Sequence, residues 1–152
     1  MPKKRKTGKF QKQLELLQAK NILVESLEAE EVEELRKNWE RAFTKDITRL
    51  EKNQMLFNEM FWHIFSYKKV NCLIGEDARH AFNQQKKQKC FLFYQEENSG
   101  FILDHASALK DVDIMNKLIG FVDVYVVSAD FKWTYVVTHE TDFGPYFHNK
   151  KN

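Results

Sequence analysis

Glycine, proline and cysteine are scarce, at 5, 2 and 2 of 152 residues. So little glycine and proline excludes a low-complexity or collagen-like chain. The two cysteines, Cys72 and Cys90, are too few for a disulfide framework and lack the spacing of a zinc site. In a chain without an export signal both are expected as thiols. No apolar run approaches the ~18 residues of a spanning helix, so no membrane association is expected. The start, Met1-Pro2-Lys3-Lys4-Arg5-Lys6, is basic and has no apolar stretch behind it, unlike a secretory signal. A cytoplasmic location is the expectation. Also missing are a glycine-rich phosphate loop and a Gly-x-Ser-x-Gly elbow.

What is plentiful is apolar material: 43% hydrophobic residues and 14% aromatics, including 13 Phe, enough for a sizeable core. The net charge of +2 conceals an asymmetry. Residues 1–12 hold six bases and no acid, whereas the remainder carries a net charge of −4. The first dozen residues read as a solvated, frayed basic tail, and residues 13–152 as one α+β domain. Pro2-Lys3-Lys4-Arg5-Lys6 also fits a nuclear-import pattern. An acidic body is a poor match for a phosphate backbone, so nucleic acid is not an expected partner except through the tail.

Phe10, Leu14 and Leu17 recur at helical spacing and predict a helix over about 8–20, with Ile22-Leu23-Val24 a short strand after it. Val32, Leu35, Trp39, Ala42 and Phe43 form one stripe. With glutamates early, bases late and Ser26 as N-cap, they predict a helix over 28–44. Asp46 caps a further short helix that Asn53 closes. Residues 55–67, the densest aromatic stretch, fit strand or helix. Residues 75–85 read as helix, with Ala78, Ala81 and Phe82 inward. Two hairpins follow, 90–94 with 101–103 and 122–127 with 131–137, with a short helix over roughly 107–117 between them. The expected fold is α+β: a small antiparallel sheet of about four to five strands with helices packed on one face.

The run Asp123-Val124-Tyr125-Val126-Val127, the elements Trp133-Thr134-Tyr135, Thr138-His139-Glu140 and Gly144-Pro145-Tyr146-Phe147, and Trp62-His63-Ile64-Phe65-Ser66-Tyr67, Ala81-Phe82-Asn83 and Phe93-Tyr94-Gln95 form a distinctive set. Together they resemble the bacterial family known as domain of unknown function 4275, from about Asn21 to Phe147. The resemblance implies a bacterial cytosolic protein, which argues against nuclear import, and it carries no activity.

Thr138-His139-Glu140 closes a predicted strand, where functional groups gather. Adjacent residues of a strand point to opposite faces, so His139 and Glu140 serve one ligand only if the strand has ended. His139, Glu140 and His63 are the candidate catalytic groups, and a metal centre would draw on His63, Asp123, Asp142 or His148. No pair has recognised ligand spacing, and neither a metal nor another cofactor is expected. Cys72 or Cys90 beside His63 or His105 has nothing in its favour as a nucleophile. Trp62, Asp123, Tyr125, Trp133 and Tyr146 are the candidate binding residues, set against the plainer reading that the large aromatics fill the core. On the last predicted strand, Phe131, Trp133, Tyr135 and Val137 share one face and Lys132, Thr134, Val136 and Thr138 the other. One face should be core and the other solvated or used for a partner.

Two functions follow as expectations. The first is a non-catalytic binding or regulatory module with a protein partner, acting through the sheet and the 138–147 loop; immunity-like action is one form, by analogy of size and class. The alternative is a small hydrolase or nuclease using His139 and Glu140, with His63 and a metal as auxiliaries.

Overall fold

The computed structural model describes residues 3–57, 59–114, 122–140 and 143–150, residues 3–9 by their backbone only. The expected two hairpins are present, embedded in a wider sheet. The chain runs α1 (Lys3–Ala19), β1 (Leu23–Ser26), α2 (Ala29–Phe43), α3 (Arg49–Gln54), α4 (His63–Ser66), β2 (Leu73–Ile74) and α5 (Glu76–Gln84). It continues as β3 (Lys89–Tyr94), β4 (Gly100–Asp104), β5 (Val124–Ser128), β6 (Trp133–Val137) and β7 (Tyr146–Asn149). Among the described residues seven strands, not four to five, form one sheet in the order β1-β4-β3-β5-β6-β7-β2. Every neighbouring pair is antiparallel.

Helices lie on both faces of the sheet, which corrects the one-sided expectation. Leu92 and Tyr94 of β3, Val124 and Val126 of β5, and Trp133 and Tyr135 of β6 share a core with Phe10 and Leu17 of α1 and Ala78 and Phe82 of α5. The alternate residues, Phe93, Tyr125, Val127 and Val136, share a second core with Val32, Leu35 and Trp39 of α2 and Ile64 and Phe65 of α4. Side chains alternate along a strand, so two cores mean two covered faces. The physical reason is that Val124-Tyr125-Val126-Val127 is apolar at every position, the mark of a strand buried on both sides. All five residues of β5 are buried. The solvated face expected for β6 is therefore occupied: Thr134 is fully buried.

Local chemistry explains the element ends. The Glu31 carboxylate accepts the Glu28 N–H at 2.8 Å, so α2 is capped at Glu28, two residues after the expected Ser26. Thr48, not Asp46, caps α3: its hydroxyl accepts from Glu51 N–H at 3.1 Å. Residues 55–57 and 59–67 form turns and then the single helical turn of α4, with Met55, Phe57, Phe61, Trp62, Ile64 and Phe65 buried. The helix expected over 107–117 is replaced by two 3-10 turns, Ala106–Ala108 and Asp111–Asp113. Its last residues, 115–117, lie outside the described ones. The Tyr135 hydroxyl donates to Asp111 at 2.6 Å and Lys20 reaches Asp113 at 2.8 Å, so tertiary bonds hold that segment without a helix. The α1 backbone is helical from Lys3 and takes in most of the basic first dozen residues.

Lys87 closes the end of α5. Its ammonium donates to the carbonyls of Phe82 (2.6 Å) and Gln85 (3.2 Å) and lies 4.3 Å over the Phe82 ring. Burial, with neighbouring Lys110, lowers its pKa to about 8. The folded state thus holds this proton less tightly than the unfolded chain, where a lysine titrates near ~10.4. Stability contributed by this group should rise as pH climbs from about 8 towards ~10.4. Lys87→Met should remove that rise, seen by comparing urea midpoints of both proteins at pH of about 7.5 and 9.5.

Candidate functional site

The sheet ends where β6 gives out at Val137, and His139 and Glu140 follow in irregular backbone. The strand has ended, so the two side chains meet. The Asp123 carboxylate, just ahead of β5 and 6% exposed, accepts from the His139 backbone N–H at 2.6 Å and lies 2.8 Å from His139 Nδ1. On the other side of the ring, Nε2 lies 3.1 Å from the Glu140 carboxylate. Burial alone would lower the pKa of His139, but the bond to Asp123 and the charges of Asp123 and Glu140 outweigh it and hold the pKa above its ordinary value. The imidazolium form is favoured.

The Thr138 hydroxyl turns the chain back, donating toward the carbonyls of Glu140 (2.9 Å) and Phe143. Gly144 has φ +86°, a conformation that glycine adopts without strain, and leads into Pro145 and β7. Phe143 is 46% exposed, with its ring 5.8 Å from the Trp62 indole.

Trp62 stands at the centre. Its ring meets those of His63 (4.8 Å), Tyr146 (6.1 Å) and His139 (6.2 Å). His63, Asp123, His139, Glu140 and Tyr146 thus gather at one end of the sheet, and a buried indole fills the space among the rings. A second network fixes Trp62 from below. Its backbone N–H donates to the Tyr125 hydroxyl at 3.2 Å, that hydroxyl donates to Gln95 Oε1, and Phe61 N–H donates to the same oxygen at 2.9 Å. Gln95 figures in the sequence only as part of Phe93-Tyr94-Gln95, with no role assigned, because nothing in its spacing marks one. Only the tertiary fold brings it under Tyr125.

The other candidates fall elsewhere. Trp133 is buried in the opposite core, stacked near Phe147 at 5.9 Å, and shares no site with Trp62. Tyr125 is fully buried, and its hydroxyl pKa is pushed well up by burial and by Asp123. Burial, then Cys72, raises Tyr146 to about 12. The His63 ring is held through Nδ1 by the Met55 carbonyl. His148 lies apart, its Nδ1 2.7 Å from the Asn71 carbonyl. Asp142 lies outside the described residues. Burial raises Cys72 to about 11 and is the main cause that raises Cys90 to about 12, so neither thiol is primed as a nucleophile. Among the described residues, no three His, Cys, Asp or Glu groups are set to hold a metal ion. No helix among them is long and apolar enough to cross a membrane.

Fold and site together define an α+β domain with helices on both faces of an all-antiparallel sheet and a carboxylate-clamped histidine at one end. A family model described as Domain of unknown function (DUF4275) matches residues 11–147, and the chain belongs to that family. The match begins about ten residues before the stretch whose motifs carry the resemblance. Neither a curated protein nor a solved structure matches the chain.

Proposed function

We propose that the protein is a non-catalytic binding or regulatory module that takes a protein partner at the His139 end of the sheet. The observation that carries this reading is the clamp. Both ring nitrogens of His139 face carboxylates, and a base needs a free lone pair directed at its substrate. A clamped imidazolium cross-links the start of β5 to the loop after β6, and it fixes the loop that displays Phe143. Tyr67, 52% exposed, lies beside His63 with ring centres 5.4 Å apart. Phe143 and Tyr67 are aromatic anchors on a rigid base, the type of residue that dominates protein contacts. With both sheet faces covered, the contact surface falls to the clamped loop and the neighbouring Tyr67 rather than to the sheet.

The test is capture from the native host with tagged wild type and with Phe143→Ser. The expected result is one stoichiometric protein partner, lost at least about tenfold in the variant, or ~1.4 kcal/mol, with an unchanged melting profile. No stoichiometric partner, or equal capture by both proteins, would sink the proposal.

One observation favours a second reading, a hydrolase or nuclease. A carboxylate on Nδ1 is how a catalytic histidine is oriented, and rotation of Glu140 would free Nε2. On that reading, His139→Ala removes hydrolysis of bis(p-nitrophenyl) phosphate or p-nitrophenyl acetate. On ours, wild type and variant do not differ.

A further inference from the structure

At the opposite end of the sheet two open clefts adjoin. One, of about 660 Å³, lies between the end of α2, residues 69–73 and the end of β7, and Lys45, Lys69 and Lys150 line it. The other, of about 420 Å³, lies between the end of α5 and the β5–β6 turn, and Lys86, Lys87, Lys89 and Lys132 line it. Asn149 lines both, and Lys150 N–H donates to the Lys132 carbonyl at 2.8 Å, so they meet around the end of β7.

The charge is concentrated there. The two linings hold seven lysines against two acids, Asp46 and Asp130. In the rest of the chain beyond residue 12, acids exceed bases by nine. Asp130 is turned to its own loop, accepting from the Ser128 hydroxyl at 2.8 Å. Of the seven lysines, Lys69 reaches Glu51 at 3.0 Å, and Lys87 is spent on the α5 carbonyls. Lys45, Lys86, Lys89, Lys132 and Lys150 have no carboxylate partner among the described residues. Elsewhere Lys20, Lys52, Arg41 and Arg79 each have one, while Lys37, Arg49 and Lys68 have none among the described residues, so the clefts are set apart by the crowding of their lysines.

We infer that this face binds the phosphodiester backbone of a nucleic acid, without reading its bases. Five ammonium groups without a carboxylate partner, of which Lys150 lies 5.6 Å from the centre of the Phe43 ring, are spread over two adjoining open clefts and match a ligand with repeated negative charges better than one compact anion. Lysine is a point charge without the planar fork that reads guanine, and neither lining contains arginine. The continuous basic face that composition seemed to deny is made by folding: its lysines come from five separate segments.

The experiment is fluorescence anisotropy of the full chain with labelled DNA and RNA of about 20 nucleotides, longer than the ~4–16 that a single small fold covers. Affinity should be indifferent to sequence, and log Kd should rise with log[salt] at a slope of about 3.5 for single strands. The pairs Lys45→Gln with Lys150→Gln, and Lys89→Gln with Lys132→Gln, should each lower that slope by about 1.4. Each should also weaken binding at least about tenfold at low salt, or ~1.4 kcal/mol. Lys12→Gln with Lys37→Gln should change neither quantity. No binding at low salt would overturn the inference. So would loss of binding on substitution of Lys3, Lys4 and Lys6 with the cleft pairs indifferent, or capture by vesicles rich in anionic lipid in place of nucleic acid.

Discussion

Trp39→Ala should destabilise the protein by about 3–5 kcal/mol, the usual range for removing a buried tryptophan. Trp39 has no exposed surface and packs against Phe43, Phe61, Phe65 and Tyr125, with ring centres 5.1–6.3 Å away. Its indole N–H donates to the Thr134 hydroxyl at 2.9 Å, which in turn donates to the Val126 carbonyl at 2.9 Å. Truncation would open a cavity between α2 and the sheet and leave that hydroxyl oxygen without a donor. Trp39→Phe keeps most of the packing and forfeits the hydrogen bond, for a smaller loss of about 1–2 kcal/mol. Urea denaturation followed by far-UV circular dichroism gives both values. A loss below about 1 kcal/mol for the alanine variant would deny that α2 anchors the second core.

Asp123→Ala should cost about 1–2 kcal/mol, chiefly by leaving the part-buried His139 N–H without its acceptor. Little of this is the ion pair, since the imidazole side chain is 35% exposed and such a pair gives no more than ~1 kcal/mol. The titration of His139 separates the two contributions. Because its folded pKa lies above that of the unfolded chain, its stabilising effect is complete below about 6.5 and is lost as pH rises through the folded value. In Asp123→Asn the His139 pKa should fall, read from the imidazole Cε1 proton by NMR. The pH dependence of stability in that window should flatten with it. An unmoved pKa would mean that Asp123 does not face the ring.

The parts of the fold legible in the sequence were those where a single residue pattern decides the outcome. The stripe from Val32 to Phe43 can bury only one side of a helix, and α2 followed it. The β3–β4 and β5–β6 hairpins were legible for the same reason, with apolar runs on either side of a polar turn. What stayed hidden depended on neighbours. Leu73-Ile74 and Tyr146-Phe147-His148-Asn149 are too short or too polar to announce strands, and they become strands by pairing with each other and with β6. The unbroken Val124–Val127 run could have signalled a strand covered on both sides. A sheet with one open face does not accommodate that run, which is why the helices and the surface of β6 differ from the expectation. At this end of the sheet, Thr138-His139-Glu140 is the stretch where β6 gives way to irregular backbone. The clamp was not legible, because Asp123 lies 16 residues away in sequence and reaches His139 only through the β5–β6 pairing.

The outermost strands carry a consequence for solution behaviour. An open antiparallel sheet has two lateral rows of backbone groups on which another copy could grow, the usual seed of aggregates. One row belongs to β2, two residues long and cut short by Gly75 at φ +67°. The other belongs to β1, where Glu25 and Ser26 are polar. Neither offers an incoming strand more than a few rungs, so the exposed Leu73, Ile74 and Leu23 should not seed fibrils while the fold holds.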